Sequence, residues 1–309
     1  MRLHAVTGAV LLAGCGFIRD PIAIDASETE HGVFGVLYAG SDTATILVAE
    51  FPPTPPPGDF GWKGVSGATV RLVAGQDTIA LSELSASAPP CVTLAGFGAN
   101  VGRTEGCYRA ILPATIQPGS TYGLVVDIPQ VGRISGITTV PQVPVIDAPT
   151  EGTTFTAEFT NDEWPSMLLR ISPGALTERL EAMLIESDPN RVCEAHFLEG
   201  TAFVQGLMRI DPEDADSVPA LFRAACHTST GRAPLGQLPV TIRVVAFDAN
   251  YEHFARVLID EHSDAVLRRH TRSGIDRGVG YFAGAAVAER RIVLTGSGNA
   301  IAGAMRGMY

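Results

Sequence analysis

Ala68-Thr69-Val70-Arg71-Leu72-Val73, then Gly75-Gln76, then Asp77-Thr78-Ile79-Ala80-Leu81 is the stretch whose reading decides the fold. Two β-rich runs meet across a short glycine-bearing turn, which predicts a hairpin. The pattern continues on the N-terminal side. Val33-Phe34-Gly35-Val36-Leu37-Tyr38 and Ala44 to Phe51 are β-rich runs bounded by Gly40-Ser41-Asp42 and by the proline cluster Pro52 to Pro57. That cluster reads as a stiff exposed loop, with a polyproline ligand as the other reading. On the C-terminal side, Gly106 to Leu112 and Thr121 to Asp127 are joined through Ile116-Gln117-Pro118-Gly119, whose Pro-Gly suits a type II turn. A further strand, Arg133 to Val140, ends at Pro141. Seven short strands with regular turns predict an immunoglobulin-like β-sandwich over residues 31–142.

Pro141 to Pro149 reads as an extended connector, which makes residues 31–142 a unit expected to fold alone. Residues 143–309 then form a second, mainly-β domain with about two helices. Thr153 to Thr160, Ser166 to Ser172, Cys193 to Leu207 and Val240 to Phe247 read as strands. Leu176 to Glu186 fits either a short helix or a helical turn leading into a strand. Asp211-Pro212-Glu213-Asp214 looks like a helix start, with the helix running through Ala225. A second helix has Asp248 near its N-cap and Phe247, Tyr251, Phe254 and Leu258 on one apolar face. Gly274, Gly278 and Gly280 predict positive φ or close backbone approach. Tyr281 to Val287 and Arg291 to Thr295 read as two closing strands, followed by a small-residue tail from Gly296.

The N-terminus sets the expected compartment. Arg2, nine residues from Ala5 to Ala13 and Leu12-Ala13-Gly14-Cys15 resemble a bacterial lipoprotein signal. A membrane-spanning helix needs about 20 apolar residues, so the run fits a signal h-region. Residues 1–14 read as a signal peptide, Cys15 as the lipidated first residue of the mature chain, and residues 15–30 as a tether. Fifteen extended residues reach at most about 50 Å. The expected location is the bacterial cell envelope, as an outer-membrane lipoprotein facing the periplasm or the surface. The membrane is engaged through the N-terminal lipid.

Setting Cys15 aside leaves Cys91, Cys107, Cys193 and Cys226, an even number suited to an oxidising compartment. Of three pairings, Cys91–Cys107 and Cys193–Cys226 keep each bridge within one proposed domain. A structural zinc is the rival, since Cys193, His196, Cys226 and His227 offer two thiolates and two imidazoles. The chain carries a net charge of −11 and a single lysine, Lys63, beside its arginines. Without a basic block, electrostatic capture of nucleic acid is disfavoured.

Several segments occur in the order of a known family. They are Ser66-Gly67-Ala68-Thr69-Val70, Gly106-Cys107-Tyr108, Pro118 to Val126, Thr139-Val140-Pro141, Phe247 to Phe254 and Gly274 to Ala285. Together they resemble bacterial lipoproteins of domain-of-unknown-function family 4249, whose N-terminal sandwich is similar to carboxypeptidase-regulatory-like and transthyretin-like domains. The resemblance implies an envelope lipoprotein and no particular activity. The two cysteine pairs and a longer Asp211 to Gly236 segment depart from that pattern.

Catalytic constellations are sparse. Ser66 is not in a Gly-x-Ser-x-Gly elbow, and His253, His262 and His270 lack HExxH spacing. Asp211, Glu213, Asp214 and Asp216 fit a first helical turn, with calcium binding or acid/base work as sharper readings. No cofactor is indicated. The favoured function is a non-catalytic, lipid-anchored protein that binds another envelope protein or an extracellular ligand. The alternative is a lipid-anchored hydrolase or carbohydrate-active enzyme with its site between the domains.

Overall fold

The computed structural model describes residues 29–51, 63–85, 105–158, 164–186, 192–198, 206–228, 231–233, 235–256 and 272–296. The signal segment, Cys15, the proline cluster, Cys91, Leu258, His262, His270 and the tail from 297 lie outside them. The chain is mainly β, with large sheets that pack as sandwiches.

The first half follows the predicted strand order. It comprises β1 (Glu30–Tyr38), β2 (Thr43–Phe51), β3 (Lys63–Gly64), β4 (Thr69–Ala74), β5 (Asp77–Glu83), β6 (Cys107–Ile111), β7 (Thr121–Ile128) and β8 (Gly132–Thr139). The β4–β5 hairpin has the predicted partners, with Ala74 opposite Asp77 and Leu72 opposite Ile79. Val33, Ile46, Val48, Leu72, Tyr108, Leu124 and Ile134 meet in one core.

The second half contains β9 (Val145–Ala148), β10 (Thr154–Thr156), β11 (Ser166–Ser172), β12 (Arg179–Glu186), β13 (Val192–Phe197), β14 (Leu207–Ile210), β15 (Val218–Thr228), β16 (Gly231–Ala233) and β17 (Gly236–Phe247). The helix α1 (Ala249–Ala255), β18 (Arg272–Ser273) and β19 (Val279–Gly296) complete it. A sheet in the order β14-β12-β17-β19 faces a second in the order β13-β15-β11-β9. Between them lies a core containing Leu169, Leu180, Phe222, Val240, Ile242 and Leu294.

Three expectations are corrected. The helix predicted from Asp211 through Ala225 is a 3-10 turn at Pro212–Asp214 followed by β15, so one α-helix is present among the described residues. The alternation decides it: Ala220, Phe222, Ala224 and Cys226 are buried at every second position, a strand period that short side chains hide. The two closing strands are one 18-residue strand, β19, because Ala288-Glu289-Arg290 contains no turn-forming residue. The proline-rich connector also contains a strand: β9 sits between Pro144 and Pro149 and pairs with β11 on one side of a sheet edge, where flanking prolines are tolerated.

β19 also crosses the boundary drawn at residue 142. Its first half pairs in parallel with β1, Gly32 to Tyr38 opposite Val279 to Ala285. Its second half pairs antiparallel with β17. Side-chain alternation sends Phe282 into the first-sandwich core and Tyr281, Ala283 and Ala285 into a third cluster roofed by α1. Farther along, Ile292 and Leu294 enter the second-sandwich core. One strand therefore furnishes all three cores. Its small residues permit this, since a Cβ at Gly284 would lie 2.7 Å from the Val140 Cα.

Candidate functional site

The two C-terminal blocks picked out in the sequence come together where the sandwiches meet. Asp248 caps α1 as predicted: its carboxylate accepts from the Tyr251 N–H at 3.1 Å and from the Thr138 hydroxyl of β8. Its own N–H donates to the Gly284 carbonyl at 3.1 Å. Burial pushes the Asp248 carboxyl above its usual value, against the pull of these hydrogen bonds. Asn250 donates to the Ile137 and Phe282 carbonyls, at 2.8 and 2.9 Å, tying β8 to β19.

The turn before β19 completes the junction. Gly274 has φ 69°, and its carbonyl accepts from the Ile137 N–H at 2.9 Å. A Cβ there would stand 2.3 Å from the Asn250 amide nitrogen and 2.4 Å from the Phe282 carbonyl, so glycine is required both for conformation and for space. Gly278 and Gly280 likewise take positive φ, 77° and 101°. Asp276 accepts from the Ser135 N–H at 2.7 Å and from its hydroxyl at 2.8 Å. Each of these polar side chains is engaged in joining the halves.

Beneath α1, the predicted apolar face is buried through Phe247, Tyr251 and Phe254. Tyr251 stacks on Phe247 with ring centroids 3.8 Å apart, and Tyr281 meets Phe34 and Tyr251 edge-on. Beside these rings lies a charge cluster that the sequence did not reveal. Arg179 and Glu181, 1% and 2% exposed, pair at 2.7 Å. Arg179 also reaches Glu252 of α1 at 3.2 Å, and Arg209 bridges Glu252 and Asp211 at 3.3 and 3.1 Å. Burial, followed by the negative charge of Glu181, pushes the Tyr251 hydroxyl well up. Two guanidinium groups thus serve three carboxylates, and Glu252, reached by both, ties α1 to the sheet. The available signal was Arg179 and Glu181 two apart in a strand, which puts both on one face.

The remaining candidates have structural roles or stand apart. Glu83 accepts from Ser66 and from the Gly67 N–H, the latter at 3.0 Å, making Ser66 a turn residue. The Tyr108 hydroxyl braces the same turn, accepting from the Ala68 N–H and donating to the Val65 carbonyl, both at 2.8 Å. His253 is exposed. Asp211 is drawn to Arg209, while Glu213, Asp214 and Asp216 point to solvent. No group of three or more potential metal ligands forms among the described residues.

Cys193 and Cys226 face each other across β13 and β15 and form a disulfide with an S–S distance of 2.01 Å. Both thiols of the rival zinc set are therefore consumed. His196, on the same strand as Cys193, is held below its usual value by burial and by the neighbouring Arg223. Cys107 is fully buried and disulfide-bonded. Its expected partner Cys91 and the expected lipid site Cys15 lie outside the described residues.

No protein-family model matches the chain, and no curated protein sequence does either. Among solved structures, the chain is similar to a cycloalternan-degrading enzyme from Trueperella pyogenes in complex with cycloalternan. The identity is 10%, the TM-score is 0.23, and the match covers 82% of this chain and 33% of that one. The chain thus spans about a third of the enzyme's length, and at that score the likeness carries no argument about fold or activity.

Proposed function

We propose that the chain is a lipid-anchored protein of the bacterial cell envelope that works by binding a protein partner or extracellular ligand, without catalysis. The observation that carries the anchor is Leu12-Ala13-Gly14-Cys15 closing a nine-residue apolar run behind Arg2. The Cys193–Cys226 disulfide supports an oxidising compartment. The non-catalytic reading is supported by the junction itself. Asp248, Asn250 and Asp276, three polar groups at the junction of the two sandwiches, are committed to bonds within the protein. The resemblance to the family 4249 lipoproteins points the same way.

Fractionation of cells expressing Cys15→Ala tests the proposal. The parent chain should stay with the membrane through a high-salt wash, and the variant should appear in the soluble fraction. Membrane retention of the variant would overturn the anchor.

A further inference from the structure

We draw no further inference here: the strongest candidate, the exposed apolar strip of Val143, Val145 and Leu176 where the connector entering β9 runs beside the turn after β11, carries none because nothing in the structure shows what covers it.

Discussion

Asp276 accepts two hydrogen bonds from Ser135, one from its N–H at 2.7 Å and one from its hydroxyl at 2.8 Å, across 141 positions of sequence. The Asp276 N–H returns a bond to the Ser135 carbonyl at 2.9 Å. The turn that launches β19 is thereby fastened to the edge of the first sandwich.

This contact carries a pH signature. Burial alone would raise the Asp276 carboxyl, but the hydrogen bonds from Ser135 and nearby backbone hold it below its ordinary value of 3.8. In the unfolded chain the same group binds its proton more tightly. Its contribution is therefore fully present above about pH 4 and is lost as pH falls through the depressed folded value. Asp276→Asn should cost about 1–3 kcal/mol at neutral pH and lessen the loss of stability on acidification, measured by denaturant titration at several pH values. Asp248, raised by burial, has the opposite sign: its contribution grows as pH falls through its folded value. An unchanged acid limb in Asp276→Asn would contradict the assignment.

The buried ion pair makes a prediction about non-additivity. Arg179→Ala leaves Glu181 buried beside Tyr251 with its guanidinium partner removed and should cost about 3–5 kcal/mol. Replacing both, as Arg179→Met with Glu181→Leu, should recover much of that loss. Urea melts of the two single variants and the double variant decide it, and simple additivity would show that the pair does not act as a unit.

β19 changes the expected behaviour of fragments. Residues 31–142, read from sequence as self-sufficient, contain β1 without its parallel partner and a core without Phe282. That fragment should show no cooperative thermal transition. In the full chain, Phe282→Ala should cost about 3–5 kcal/mol and lower the stability of both sandwiches in a single transition. Separate melting of the two halves would mean that the shared strand does not couple them.

Cys193 and Cys226 close a loop with a sequence separation of 33, for which the chain-entropy model gives about 3–4 kcal/mol. A non-reducing digest should yield their linked peptide, and Cys193→Ser with Cys226→Ser should lose stability of that order. Free, alkylatable thiols at both positions in envelope-purified protein would contradict the bridge.

The sequence made local structure legible. The β4–β5 hairpin, the Asp248 cap and the left-handed glycines at 274, 278 and 280 follow from residues within a few positions of one another. The parallel pairing of β1 with β19 does not, because it joins opposite ends of the chain and no turn announces it. The β15 strand was obscured by Ala220, Ala224 and Ala225, whose small side chains weaken the period-2 pattern, and by an acidic, proline-bearing turn resembling a helix start. Arg179 and Glu181 were missed for a related reason. Charges in a strand normally mark its solvent face, whereas here α1, supplied much later in the chain, brings Glu252 against the buried Arg179.

The anchor at Cys15 is tested most directly by the mass of the N-terminal peptide from envelope-purified protein. The account predicts that the mature chain begins at Cys15 and carries two or three acyl chains. A mature chain that retains residues 1–14, or that bears an unacylated Cys15, would contradict it.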